Sequence, residues 1–361
     1  MKLDCVKIYQ VKLPLTKPYR VSFRTYTDLE PILIEMRAAD GAAGWGEAYI
    51  PAGSTAETTD SGWEFCREHG AALVGKTVTA AKARIDALVP QAPFAATAML
   101  TAIDMLARHH VLNLTIEARV PMLVPVSSKT DPEIRGEVED LLNAGYRTLK
   151  VKVGWNVDDD LAKVRSVQQA AQGRATITMD ANRGYDQSQG CKFASSLDPD
   201  NIALFEQPCE ADAWDANAAV AKVSKVPLML DESIKGIAEI ERAATVPGVE
   251  LVKLKLKRIG GIDRAVMALE RARQVGLDVC LGDGVATELL CWVEACVGRN
   301  FLRRAGDMNG FLKPKTRLFK EPLQFEDGSI VLRTGFWPEL DEKVIKDHQL
   351  RCERFAPVAV G

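Results

Sequence analysis

The chain has 361 residues, of which 47% are hydrophobic, 26% charged and 6% aromatic. That is enough for a large core in two domains, or in one barrel with additions. Lys and Arg number 46 against 49 Asp and Glu, a formal net charge of −3, which with no basic block argues against a nucleic-acid partner bound by phosphate neutralisation. The opening Met1-Lys2-Leu3-Asp4-Cys5 lacks the apolar stretch of a signal peptide, and no apolar run approaches the ~18 residues of a membrane helix. The eight cysteines contain no CxxC and read as reduced, mostly buried thiols. The expected setting is cytoplasmic, with no membrane partner.

In chain order, Val6–Leu13 and Ile32–Met36 alternate as strands do, with Asp40-Gly41 as a turn. Between them, Pro14–Leu29 has no strong period and reads as a loop carrying Tyr19, Arg20, Phe23, Arg24 and Tyr26. Apolar Ala95, Met99, Ala102, Ile103 and Leu106 predict a helix over Ala95–His109. Residues 1–120 thus carry mixed α+β signals and are expected to form an N-terminal α+β domain.

From residue 121 the rhythm changes. Short β-rich runs recur at Met122–Val126, Thr148–Val153, Ala175–Met179, Ile202–Phe205, Pro227–Leu230, Leu251–Leu256, Leu277–Leu281 and Phe301–Ala305. Amphipathic stretches such as Asp131–Ala144 and Ile262–Val275 separate most of them. Eight such units predict an α/β fold with a (β/α)8-type barrel over 121–321. A doubly wound open sheet is the alternative, though no Gly-rich phosphate turn opens any helix. Residues 322–361, with Asp327-Gly328 between alternating runs, are expected to pack back on the N-terminal region.

In a parallel barrel the chemistry lies at the C-terminal strand ends. There the chain places Lys150-Val151-Lys152, Asp180-Ala181-Asn182, Glu206-Gln207-Pro208, Asp231-Glu232-Ser233, and Lys253, Lys255 and Lys257 before Gly260-Gly261. From Lys152 to Asp180, Glu206, Asp231 and Lys255 the steps are 28, 26, 25 and 24 residues, one β/α unit each, which sets these groups at equivalent heights. Taken singly, an acid at a strand end is an ordinary helix cap, and a Lys-x-Lys a solvated strand face. Together, Lys, Asp, Glu, Asp, Lys in order would be costly to bury without a cation and an anionic substrate. Three carboxylates and no histidine suit Mg2+, with Mn2+ second. Alternation leaves Lys255 and Lys257 both open as the strand-six base, with the spacing to Gly260 favouring Lys255.

At these residues the chain resembles the enolase superfamily, in its muconate lactonizing enzyme-like subgroup. Gly44-Trp45-Gly46-Glu47 and Ala102-Ile103-Asp104-Met105-Leu106 resemble the capping domain, and the strand-end motifs the barrel. The resemblance implies Mg2+ on Asp180, Glu206 and Asp231, Lys152 and Lys255 as an acid/base pair, Lys150 as electrostatic support, and commonly a homo-oligomer. Pairing a Lys base with Mg2+ is a documented habit of such sites. Lys150 beside Lys152 is expected, together with the nearby cation, to depress its pKa. Strand seven holds Cys280-Leu281-Gly282-Asp283 with no histidine, so the His–Asp dyad of mandelate racemase-type members is absent. Strand eight ends in Asp307-Met308-Asn309, where dipeptide epimerases of the subgroup carry Asp-x-Asp for a substrate ammonium. Asn182, Asp283, Asp307, Asn309, Arg20 and Arg24 are the candidate substrate contacts, and Trp337 is read as a site or packing residue.

Lysines on strands two and six suit removal of a proton α to a carboxylate from one face and its return to the other. The leading expectation is therefore racemisation or epimerisation of an amino-acid-derived small-molecule carboxylate. Dehydration or cycloisomerisation with the same lysines is the alternative, and a non-catalytic carboxylate- or metal-binding barrel the remote one.

Overall fold

A computed structural model describes residues 1–21, 24–52 and 55–357, with the side chains of Arg20, Val21 and Arg24 outside that description. Seven strands pair in parallel in chain order to form a curled sheet: Val124–Val126, Thr148–Lys152, Thr176–Asp180, Ile202–Glu206, Leu228–Leu230, Val249–Leu254 and Asp278–Leu281. Helices on the outside connect them, and the strands and helices share one apolar core. The fold is an α/β barrel with a small N-terminal sheet.

The eighth run, Phe301–Ala305, is not a strand. Its successive residues Arg303 and Arg304 are both exposed, and Arg304 pairs with Asp278 at 2.9 Å. A strand buried on both faces has no place for two consecutive charges. The barrel is closed instead by a single parallel bridge between Met122 and Gly306. There Leu123 N donates to Gly306 O at 2.9 Å and Asp307 N to Leu281 O at 2.9 Å, so Asp307 still emerges at the same rim as the other strand ends.

The N-terminal sheet is antiparallel, in the order Gln349–Phe355, Leu3–Val11, Ile32–Ala38, Ala43–Ala48. Helix Pro93–Leu106 lies against its last strand so closely that a Cβ on Gly44 would sit 2.1 Å from Ala102 O, and one on Gly46 1.8 Å from Ala98 O. Only glycine permits that approach. The helix is buried along its whole length, and its Thr97 hydroxyl lies 3.4 Å from Leu256 O, which ties the sheet's helix to the sixth strand end.

The segment expected as a loop is a hairpin. Leu13–Val21 pairs with Arg24–Leu29, with Tyr19 opposite Tyr26 and a register shift between Pro14 and Tyr19. Lys17-Pro18 breaks the alternation that Leu13 and Leu15 begin, which hides the strand. The hairpin is held over the barrel by Thr16 N to Lys313 O at 2.8 Å and Lys315 N to Pro14 O at 2.8 Å. Trp337 packs edge-on against buried Trp292 with centroids 5.6 Å apart, and Arg108 covers it at 3.9 Å. It serves packing. No helix among the described residues is long and apolar enough to cross a membrane.

Candidate active site

Strand register gathers the charged residues. Lys152 is level with Asp180, and Asp180 with Glu206. Because alternate residues share a face, Lys150 and Lys152 both point inward, and both are buried. The Lys150 ammonium lies 2.8 Å from Asp180 Oδ2, 2.8 Å from Glu206 Oε2 and 3.0 Å from Asp307 Oδ2. Lys152 Nζ lies 2.6 Å from Asp180 Oδ2 and 2.7 Å from Asn182 Oδ1. Across the mouth, Lys253 bridges Glu206 at 3.1 Å and Asp307 at 2.5 Å. Lys255 meets Asp231 at 2.9 Å and Asp283 at 3.9 Å, and Arg258 holds the other Asp231 oxygen at 2.9 Å.

The sixth strand ends at Leu254, so the period-two reading of Lys253, Lys255 and Lys257 stops there. Lys255 precedes a short helix, Leu256–Ile259, which turns Lys257 away from the mouth. Fully buried Lys257 donates to Val285 O at 3.1 Å and pairs with Asp283 at 3.0 Å. Lys255 lines the cavity and Lys257 does not.

The cavity measures about 60 Å3 and is roofed by Tyr19, Tyr26, Pro51 and Phe94 from the N-terminal region. A groove of about 950 Å3 shares Phe94, Glu232 and Arg258 with it and leads outward between the N-terminal helices and the barrel. Asn182, Asp283 and Asp307 also line the cavity. Asn309 is buried one layer out, donating to Leu123 O at 3.1 Å and to Asp307 Oδ1 at 2.8 Å. The side chains of Arg20 and Arg24 lie outside the described residues.

Lys150 pulls Lys152 down as expected, but the carboxylates around these lysines outweigh it. Burial pulls Lys150 down, but Asp180, Asp307 and Glu206 outweigh it and hold the ammonium well above its usual value. Lys152 follows, with burial opposed chiefly by Asp180, and Lys255, opposed by Asp231 and Asp283. Burial raises Asp180 and Asp231, yet Lys150 and Lys152 on one and Lys255 and Arg258 on the other leave both carboxyls below the ordinary range. Glu206 ends raised by burial and by Asp180. Glu232, buried beside Asp231, is pushed up to about 7.

The donor set is hard oxygen from three adjacent strand ends, the chemistry Mg2+ prefers. Among the described residues no three His, Cys, Asp or Glu side chains are drawn together into a preformed metal cage; ammonium groups stand between the carboxylates instead. One buried oxygen, Glu232 Oε2, accepts no hydrogen bond among the described residues, and Glu206 Oε2 is met by the Lys150 ammonium without a well-aligned hydrogen bond. An unsatisfied acceptor in a charged mouth fits a cation.

Gln207 was not foreseen. Its backbone is left-handed at φ 37°, which turns the amide beneath the fifth strand end. Its Oε1 accepts from Asp231 N at 2.9 Å and Ser233 N at 3.2 Å, and its Nε2 donates to Ser233 Oγ at 2.9 Å. Gln207 thereby sets the course of the chain that carries Asp231. Lys313 was also missed as part of the site, and Lys253, placed at the sixth strand end by alternation, was given no role; their charge is visible in sequence, their partners are not.

The fold and the rim define a parallel barrel that presents paired lysines and acidic strand ends beneath a capping hairpin. A family model described as "Enolase C-terminal domain-like" matches residues 133–338, more than half of the chain, and the chain belongs to that family. It is an enzyme of the isomerase class. The chain is 28% identical over 303 residues to the N-succinyl-L-Arg/Lys racemase of Bacillus cereus, covering 80% of this chain and 82% of that one. It is 29% identical over 358 residues to the N-succinylamino acid racemase of an Amycolatopsis species, covering 93% and 94%. A solved dipeptide epimerase from Cytophaga hutchinsonii, complexed with Mg and the dipeptide D-Ala-L-Val, superposes with a TM-score of 0.89 at 19% identity, covering 98% of this chain and all of that one (100%).

Proposed function

We propose that the protein racemises or epimerises an amino-acid-derived carboxylate by Mg2+-assisted proton transfer at the α-carbon. The observation that carries this reading is the placement of Lys152 and Lys255. They sit on the second strand and just past the sixth, with the three acidic strand ends between them. A substrate carboxylate directed at Asp180, Glu206 and Asp231 through a divalent ion would leave its α-carbon between two ammonium groups.

In the proposed step one lysine, neutral at that moment, takes the proton as the Cα–H bond breaks. The electron pair passes into the carboxylate, and the other lysine, charged, returns a proton to the opposite face. Reversing the roles converts the other enantiomer. A bound divalent ion would supply positive charge where the carboxylate gains electron density. Lys150 and Lys253, also buried at the rim, add to the field at that position. Asn182, which accepts from Lys152, orients that lysine. The racemases and epimerases among the relatives support this reading.

The test is deuterium incorporation at Cα in D2O with Mg2+, using both enantiomers of N-acyl amino acids across acidic, basic, aliphatic and aromatic side chains. Exchange from both enantiomers is expected. Lys152→Ala and Lys255→Ala should each abolish exchange from one enantiomer preferentially, by about 10²-fold or more. Exchange from a single enantiomer in the wild type, or loss of a hydroxyl group, would move the reading to elimination.

A further inference from the structure

The sector of the mouth that the lysines and acids leave free decides what the substrate carries. In the proposed reading the second and sixth strand ends flank the α-carbon, and the third to fifth receive the carboxylate. The remaining substituents then face the seventh strand end, Asp307-Met308-Asn309 and the hairpin tip at Tyr19.

Among the described residues, the carboxylate and amide oxygens of Asp283, Asp307 and Asn309 in that sector are each met by a cation or amide of this chain. Asp283 pairs with Lys257 at 3.0 Å and accepts from Val285 N at 3.0 Å. Asp307 Oδ2 lies between Lys150 and Lys253, and its Oδ1 accepts from Asn309 Nδ2 at 2.8 Å. The oxygen left over, Asn309 Oδ1, accepts from the Lys313 ammonium. Lys313 also donates to Gly284 O at 2.6 Å and lies 4.6 Å from the centroid of the Tyr19 ring.

The space beside Gly284 faces this cluster. A Cβ there would lie 3.3 Å from Tyr19 Oη, 3.5 Å from Asp307 Oδ1 and 3.6 Å from Asn309 Oδ1. The charge backing that wall is therefore positive and built in. Burial lowers Lys313 to about 8 against the pull of Asp307, so it remains mostly charged at neutral pH.

We propose that Lys313 is a specificity-determining residue that bars substrates with a free ammonium near the reacting centre and admits amino acids whose nitrogen carries an uncharged or anionic acyl group. An ammonium in this sector would lose its hydration, find the Asp283 and Asp307 carboxylates already paired and meet a like charge. An acyl group brings no such penalty. This rests on the racemase reading and narrows its substrate class.

The test uses two compounds that differ by one ammonium, N-propionyl-L-methionine and L-alanyl-L-methionine, with the same pair repeated for lysine, glutamate and phenylalanine. With Mg2+ present, wild-type enzyme should exchange the propionyl compound with kcat/KM about 100-fold or more above the alanyl one. In Lys313→Gln that ratio should fall about tenfold, and in Lys313→Gln/Asn309→Asp further, through a lower KM for the dipeptide. Lys313→Arg, which keeps the charge, should preserve the ratio and separates a charge effect from loss of packing. Equal exchange of both compounds by the wild type would overturn the proposal and leave the racemase reading standing. A wild-type preference unmoved in both glutamine variants would overturn the role of Lys313. Exchange of neither compound across all four side chains would overturn the racemase reading, and this inference with it.

Discussion

Glu47, at the end of the N-terminal sheet, caps a barrel helix: its carboxylate accepts from Thr287 N at 2.8 Å and from the Thr287 hydroxyl at 2.6 Å. Leu290 N adds a third bond at 3.2 Å. Thr287 is itself the N-cap of the helix Glu288–Gly298, so a side chain from one sheet satisfies the orphan amides of a helix in the other. Gly46 brings the strand close enough to helix Pro93–Leu106 for the next residue to reach.

Removing that cap should loosen the union of sheet and barrel. Glu47→Ala leaves three buried donors without a partner and should cost about 3–5 kcal/mol. Urea unfolding followed by tryptophan fluorescence checks it. Glu47→Asp, which keeps the charge but falls short, should lie between the two.

Lys253 should matter more to stability than its absence from the proton-transfer step suggests. It is fully buried between Glu206 and Asp307. Lys253→Met would leave two interior carboxylates with one fewer countercharge, a change worth about 3–5 kcal/mol. The expected result is a lower urea midpoint with an unchanged slope, partly recovered at acidic pH as the carboxyls protonate.

Glu294 should make stability depend on pH in a stated direction. It is buried in the helix Glu288–Gly298, with Oε1 accepting from Leu256 N at 3.3 Å and Oε2 unpaired among the described residues. Burial first, then Asp283, push its carboxyl up from 4.5 to about 8. A raised carboxyl binds its proton more tightly folded than unfolded, so the contribution of Glu294 to stability is full below pH 4.5 and declines as pH rises toward 8. Glu294→Gln should therefore raise the melting temperature at pH 7–8 by several degrees and leave it nearly unchanged near pH 4.

Divalent ion should stabilise the folded chain. At 100 times its dissociation constant, Mg2+ should add about 2.7 kcal/mol, seen as a higher melting temperature than in chelator. Asp180→Asn and Asp231→Asn should each remove most of that increment. An equal increment in both variants would mean that the ion binds elsewhere.

Much of the rim was readable before any coordinates, for a physical reason. A parallel barrel repeats at nearly constant chain length, so Lys152, Asp180, Glu206, Asp231 and Lys255 could be placed on one level from spacing. What spacing misses is anything that changes conformation or arrives from far along the chain. Period-two reasoning kept Lys257 at the mouth because nothing in it signals that the strand stops at Leu254. It read Phe301–Ala305 as a strand although a bridge at Gly306 does that work. The hairpin over the mouth was hidden by Lys17-Pro18. Spacing foresaw the lowering of Lys152 by Lys150 but not the nearer Asp180 that outweighs it. Gln207 depends on one left-handed backbone angle, and the Lys313–Tyr19 contact on the docking of the hairpin.

The pairing of Gln349–Phe355 with Leu3–Val11 has a consequence for the order in which the molecule is made. An edge of the N-terminal sheet waits for a strand synthesised nearly a whole chain later, while each barrel unit finds its neighbour within one β/α step. The barrel can therefore close while the first strand is still exposed along one side. Sealing that strand is a long-range, slow event. A ribosome-bound chain halted before Gln349 should present an assembled barrel beside an unfinished sheet, the form in which a chaperone would meet it.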